Sequence, residues 1–257
     1  MEAKLKRTIR VGTRSSELAL VQAEEVIKAM KALRHDFEFE TVTITTRGDI
    51  MHDKFVSNIG GKGIFVREIE NALLNGKIDI AVHSLKDMPS EVPEGLKLFP
   101  VMKREDPRDA LVSKGRTRFL NLRKGARIGT SSLRRQMQLK DIRPDIEVVP
   151  IRGNIKTRLK QLANLDLDGI VLAAAGLCRL GLEKVIIERF SPEAVIPASC
   201  QGILAVEVAE SFCKIFKEFY THISDTKTTL EAHAERKLLR IFGADCRQPF
   251  GAYARYE

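Results

Sequence analysis

The chain contains no tryptophan and only three tyrosines in 257 residues, and no recognised nucleic-acid-binding module appears, which argues against a nucleic-acid binder. Its four cysteines, Cys178, Cys200, Cys213 and Cys246, stand in unrelated contexts without a C-x-x-C pair. That pattern points away from a zinc site and from a disulfide framework, and no metal centre is expected. No segment approaches the ~18 apolar residues of a membrane span. The opening "MEAKLKRTIRVG" is charged and lacks the apolar core of a secretory signal. The expectation is a cytoplasmic protein with no membrane role.

What is present is an ordinary globular composition, 44% hydrophobic and 30% charged, in a chain long enough for one large α/β domain or two to three smaller ones. The formal charge of +9 is unevenly spread: Lys103 to Lys160 holds seventeen Lys/Arg against six Asp/Glu. Such a basic third implies an anionic partner, with a solvated face as the plain alternative.

Short β-rich runs alternate with helical stretches, the pattern of an α/β fold with mainly parallel strands. "TIRVG" reads as a strand, followed by a helix capped by Ser15 or Ser16 that places Ala19, Ala23, Val26, Met30 and Leu33 on one face. "FEFETVTITT" alternates like a strand, and "RGDIMHDKFVSNIGGKG" reads as a long mobile loop. A helix resumes at Ile64, and "IDIAVHS" is a buried strand. The plan then repeats: "ARIGT", "IEVVPI" and "DGIVLAAAG" as strands, "SSLRRQMQLKDI" and "NIKTRLKQL" as helices. "VGTRSSEL" and "IGTSSLRR" share a strand ending in Gly-Thr before a serine-rich helix start, which two similarly built domains or chance would both explain. A strand in "VIPASCQGILAVEVA" and helices over about 210–223 and 227–241 complete the reading.

Three strand-to-helix turns, "GTRSS", "GTSSLRR" and "IRGNIKTR", carry Arg14, Arg134, Arg135, Arg152 and Arg158. In open α/β sheets such turns lie where ligands bind, free helix N-terminal amides attract anions, and the guanidinium fork matches a carboxylate. A structural salt bridge is the alternative for each arginine. In "HSLKDMP", Asp87 beside Lys86 follows a strand directly and reads either as a catalytic carboxylate or as a turn residue bonding to its own backbone. His83 reads as a hydrogen-bonded strand-end histidine. Lys62, in "GGKG", is a candidate lid contact, and Phe65 either stacks on a ligand or packs in the core.

Taken in order, "GTRSSELAL", "TRGD", "GGKGIFVREIENALL", "DIAVHSLKDMP", "REDPRDALVS", "IGTSSLRRQMQL", "IRGNIKTRL", "AAAGLCRLGL", "QGILAVE" and a final Cys-x-x-Pro-x-Gly-x-Tyr-Ala loop resemble the porphobilinogen deaminase (hydroxymethylbilane synthase) family over nearly the whole chain. The resemblance implies a transferase that condenses four porphobilinogen units, losing ammonia at each, into a linear tetrapyrrole for haem-type biosynthesis. It implies a self-made dipyrromethane cofactor, thioether-linked to Cys246. By motif, Asp87 is the catalytic residue. Ser84, Lys86, Asp87, Thr130, Ser132, Arg134 and Arg135 hold the cofactor, and Arg14, Ser16, Phe65, Arg152, Gly153, Arg158 and Gln201 hold substrate. Asp49 and Lys62 belong to a mobile loop.

The implied fold is two periplasmic-binding-protein-like domains with a central cleft plus a small, here shortened, C-terminal α+β domain. The boundaries are 1–102 with 200–222 for the first domain, 103–199 for the second and 223–257 for the third, in a monomer. Two departures stand out: Cys200 occupies a position that is usually glycine or another small residue, and relatives usually continue several tens of residues past the cysteine loop, so that one helix, the loop and one strand are expected here. A non-catalytic binding protein for an acidic small molecule, with Cys246 unmodified, is the alternative function; a nucleic-acid binder is a weaker third.

Overall fold

A computed structural model describes residues 7–46, 66–244 and 248–256 of the chain. Asp49, Lys62, Phe65 and Cys246 therefore lie outside the described residues. The chain forms two compact units, Met1–Arg104 with Ile203–Ala232, and Glu105–Gly202 with His233–Glu257.

The first unit is built from β1 (Arg7–Thr13), α1 (Glu17–Leu33), β2 (Phe37–Thr43), α2 (Arg67–Leu74), β3 (Ile80–Ser84) and β4 (Leu96–Val101). The second contains β5 (Asp109–Ser113), β6 (Arg127–Gly129), α3 (Leu133–Ile142), β7 (Glu147–Val149), α4 (Ile155–Asn164), β8 (Gly169–Ala173), α5 (Ala174–Arg179) and β9 (Glu188–Arg189). The chain then returns as β10 (Leu204–Ala209) and α6 (Cys213–Ile223), and ends in α7 (Thr226–Ile241).

The two sheets share one plan. The first has the order β2-β1-β3-β10-β4 and the second β7-β6-β8-β5-β9. In each, the first three strands are mutually parallel and the fourth runs antiparallel to both neighbours. The two Gly-Thr turns thus occupy equivalent places, after β1 and after β6, which supports the domain-repeat explanation over chance. The antiparallel strand of each sheet, β10 or β5, follows directly on the segment that joins the two units.

Helices start where local chemistry allows. Ser16 caps α1 by accepting from the Ala19 N–H at 3.3 Å, which satisfies one of the helix's orphan donors. Gln22, Ala23, Val26, Ile27 and Met30 form its buried stripe, whereas Leu33 is exposed at the last turn. One face of the first sheet packs against α1 and α6 through Ile9, Val11, Val206, Phe216 and Phe219. Each such fully buried large side chain contributes about 1.5–3 kcal/mol. The other face packs on α2 through Ile69, Leu73 and Ala81. The second sheet is covered by α4 and α5 on one side and by α3 with Phe119 and Phe190 on the other.

Several expectations need correction. "AAAG" continues as helix α5, because alanine is the best helix former and nothing after Ala173 requires a strand. Residues 248–256 contain no strand. Instead, Ala252 donates to the Pro197 carbonyl at 3.1 Å and Ala254 to Glu235 Oε1 at 2.8 Å. Cys200 is buried, and Cys178 and Cys213 are half-buried. Cys200 has φ 61°, in the left-handed region where glycine carries no steric penalty. That is the physical reason a glycine suits this position, and here the strained turn is held by the Cys200 N–H bonding to Glu235. No helix among the described residues is long and apolar enough to cross a membrane.

Candidate active site

The predicted site residues fall into two groups, one in each unit. In the first, β1 and β3 end side by side, and the turns after them line a cavity of about 70 Å³. Arg14, Ser16, Gln22, His83, Ser84 and Asp87 border it. Asp87 closes a single 3-10 turn, Leu85–Asp87, and is exposed. Leu85 pins that turn: its side chain is buried, and its N–H donates to the Ile203 carbonyl at 2.9 Å. Ser84 is paired with Gln22, whose Nε2 donates to its Oγ at 2.8 Å. Gln22 was not foreseen, because a glutamine on a helix's buried stripe looks like any other polar interruption. Lys86 is half-buried beside Asp87.

The second group is a pair of adjacent helix starts. Thr130 is buried, donates its N–H to the Val149 carbonyl at 2.9 Å and accepts the Ser132 N–H at 3.2 Å. Ser132 caps α3 by accepting from Arg135 N–H at 3.4 Å. Next to it, Ser131 reaches the Ile151 carbonyl at 2.7 Å, tying this turn to the one that begins α4. There Asn154 caps the helix, Arg152 is exposed, and Arg158 Nε returns to the Gly153 carbonyl at 2.8 Å. Gly153 has φ +97°, and a Cβ there would meet Thr157 at 2.7 Å. Gly153→Ala is therefore expected to destabilise the protein by about 1–3 kcal/mol, read as a lowered urea midpoint with unchanged slope.

Arg134 and Arg135 turn inward onto one carboxylate. Asp109, fully buried at the start of β5, receives Arg135 Nε and Nη2 at 3.0 and 2.6 Å, and Arg134 Nη1 forms an ion pair with it at 2.7 Å. Arg135 Nη1 also donates to the Val171 carbonyl and Arg134 Nη1 to that of Ile196. Burial by itself would raise the Asp109 acid, but the charges of Arg135 and then Arg134 outweigh it and hold the group well below the usual carboxylate range. Burial pushes the Arg134 guanidinium down from its ordinary value, with the Asp109 charge opposing.

Two guanidiniums on one carboxylate leave an excess positive charge in a desolvated place. That excess, beside two helix N-termini, fits a carboxylate-bearing group. Gln201 is buried and points into the same cluster, its Nε2 bonding Pro107 O at 2.7 Å and Asp109 Oδ1 at 3.0 Å. Asp109 was missed as a site residue, although it lies inside the quoted "REDPRDALVS".

Cys246 lies outside the described residues, but both of its flanks are held. The Phe242 and Phe250 rings lie 5.6 Å apart at a 45° tilt, and Glu235 accepts the Ala254 N–H beyond it. Among the described residues no cluster of His, Cys, Asp and Glu is arranged to hold a metal ion.

Comparison with known proteins gives a consistent picture. The family model described as "Porphobilinogen deaminase, dipyromethane cofactor binding domain" matches residues 9–216. Porphobilinogen deaminases of Syntrophus aciditrophicus and Bacillus subtilis are 45% and 47% identical over 96% of this chain, which spans 80% and 79% of their lengths. That of Lachnospira eligens is 50% identical over 95% of this chain and 83% of its own. Among solved structures, a Salmonella typhimurium periplasmic binding protein of high arginine specificity aligns over 90% of this chain and 98% of its own at TM-score 0.47 and 18% identity, too distant to carry an argument. With the family model matched over most of its length and relatives at this level of identity, the chain belongs to the porphobilinogen deaminase family.

Proposed function

We propose that this protein removes ammonia from four porphobilinogen molecules and joins them head to tail on a dipyrromethane primer attached through a thioether to Cys246, releasing hydroxymethylbilane for porphyrin and haem biosynthesis. The observation that supports this most directly is Asp87: an exposed carboxylate fixed at the carboxyl end of β3, sharing a cavity with Arg14 and Ser16, in a chain of this family.

As the substrate's amine departs, positive charge develops on the remaining pyrrole. A carboxylate already in place stabilises that charge without reorganisation, a large contribution in a partly desolvated site. Asp87 takes this role and then assists removal of the ring proton after the new carbon–carbon bond forms. Arg14 and Ser16 border the same cavity, where a guanidinium fork suits the substrate's acetate or propionate. When bound, the dipyrromethane supplies the pyrrole carbon onto which the first unit is built.

In the second unit, Arg134 and Arg135 supply the desolvated excess of positive charge suited to cofactor carboxylates, and Thr130 and Ser132 offer hydroxyls beside it. Lys86 and Ser84 serve the cofactor from the first unit. Arg152, Gly153 and Arg158 present a second anion-binding turn for the incoming unit or the growing chain. Gln201 acts from behind, by holding Asp109. Phe65, Asp49 and Lys62 serve as further substrate contacts. The protein works as a cytoplasmic monomer.

Intact-mass measurement tests the reading. The purified protein is expected to carry the mass of two pyrrole units and to gain discrete single-pyrrole increments on mixing with porphobilinogen; Cys246→Ser is expected to show neither. A protein that stays unmodified after preincubation and leaves porphobilinogen unconsumed overturns it in favour of a binding protein.

A further inference from the structure

Behind the Asp87 cavity the first unit buries three titratable side chains in an otherwise apolar layer. β10 reads "LAVEVA", and Glu207 within it is 0% exposed. The antiparallel register sets Ala205 against His83 and Glu207 against Ala81, so His83 and Glu207 are diagonal neighbours on one face. His83 Nε2 lies 3.1 Å from Glu207 Oε2. Glu70, on the buried side of α2, faces the same layer at 9% exposure. The surrounding residues are Ile69, Ala72, Leu73 and Ala81.

Such a cluster is a poor device for stability, because well-packed apolar side chains of similar volume would do as well or better. Glu207 Oε1 is buried without a hydrogen-bond partner, which leaves the cluster an acceptor in want of a proton. Of the three, His83 also borders the cavity that Asp87 lines.

We infer that His83, paired with Glu207 in the layer that also holds Glu70, is the proton-exchanging residue of the Asp87 cavity, giving a proton to the departing amine and recovering one when the accepting ring loses its hydrogen. The inference rests on the porphobilinogen reading above. In each round one C–N bond of the aminomethyl group and one ring C–H bond break, and one C–C bond forms. The nitrogen leaves with the bonding pair and takes one proton, as ammonia. The ring keeps the C–H electron pair and returns one proton. The balance over a round is zero, but between the two half-steps one proton must be drawn from the site. Asp87 is exposed and serves the developing charge; a buried cluster that changes its proton count by one at neutral pH supplies the difference.

The groups facing Glu70 support this. Burial is the larger cause pushing its acid up to about 7, with the charge of Glu207 adding and those of His83 and Arg67 opposing. α2 thus contributes Glu70 and Arg67, β10 contributes Glu207 and β3 contributes His83. Glu207 and Glu70 act through His83 and are positioning residues.

The test uses cofactor-loaded protein, verified by intact mass, with His83→Gln, Glu207→Gln, Glu207→Asp and Glu70→Gln compared with the parent. Glu207→Gln and His83→Gln are expected to lower kcat by about 10²-fold with little change in KM for porphobilinogen, and to abolish the limb of the kcat–pH profile near neutrality. Glu70→Gln is expected to displace that limb, and Glu207→Asp to restore part of it. A readout independent of turnover is NMR titration of the Glu70 carboxyl, expected to titrate at about 7 in the parent and to be displaced in Glu207→Gln. Folded, loaded His83→Gln and Glu207→Gln with the parental profile overturn the inference, as does a Glu70 carboxyl that does not titrate near neutrality. Failure of the loaded parent itself to consume porphobilinogen overturns the functional reading instead, and the titration still decides whether Glu70 exchanges a proton near neutrality. If Glu207→Gln does not fold, His83→Gln and Glu70→Gln decide.

Discussion

Asp87→Asn is expected to reduce kcat for porphobilinogen consumption by about 10²–10³-fold, or about 2.7–4 kcal/mol of transition-state stabilisation, while leaving the urea midpoint nearly unchanged. Asp87 is exposed and ends a 3-10 turn that is pinned by its neighbour, through the Leu85 side chain and the Leu85 N–H to Ile203 carbonyl bond. The amide preserves size and local hydrogen bonding but cannot oppose a developing cation. A turn-forming role makes the opposite forecast: stability falls and kcat in the folded fraction is kept. Steady-state kinetics and urea unfolding on the same preparation separate the two. Loss of any single arginine is expected to act less severely and mainly on KM, because several cations share the carboxylates of a polyanionic ligand.

Asp109→Asn is expected to lower stability by about 3–5 kcal/mol, the cost of breaking a buried ion pair by removing one partner. Arg134 and Arg135 are both buried against that one carboxylate, and Gln201 Nε2 adds a third donor to it. Removing its charge leaves two guanidiniums facing each other in a desolvated place. Urea unfolding measures the loss. Replacing all three members by apolar residues of similar volume is expected to recover much of the stability without recovering cofactor loading, which distinguishes packing from anion binding. Since the folded Asp109 acid lies below its ordinary value, its contribution is complete above about pH 4 and is lost as pH falls below that range.

Glu70 gives the opposite sign. Its folded acid is raised from 4.5 to about 7, so its contribution is complete below the unfolded value and disappears as pH rises through about 7. Glu70→Gln is expected to flatten the fall of Tm with pH across that interval. A parent whose Tm does not fall there, or a variant that falls equally, contradicts the assignment.

The helix starts and the strands feeding them were legible because their signals are local. Ser16, Ser132 and Asn154 each cap a helix within three residues of the amide they satisfy. The apolar stripe of α1 shows at helical spacing, and Asp87 was visible as an acid directly after a buried run. β4, β5 and β9 were not named as strands. β9 has two residues, and β4 and β5 gain their pairing from β10 and β8, more than fifty residues away in each case. No window of sequence contains such a partner.

From the amino-acid sequence alone came the alternation of strands and helices, the basic middle third, the strand-to-helix turns and the family that these resemble. The first three depend on residue type and on short-range spacing, and the family on the order of motifs along the chain. Only the tertiary structure decided which cations meet which carboxylates. Arg134 and Arg135, on α3, converge on Asp109 at the start of β5, and His83 meets Glu207 across a sheet register 124 residues away in sequence. The physical reason is burial: an acid's partner and proton affinity depend on what the fold packs around it, and a carboxylate in the sequence looks the same whether it ends as exposed Asp87, ion-paired Asp109 or the sequestered Glu207.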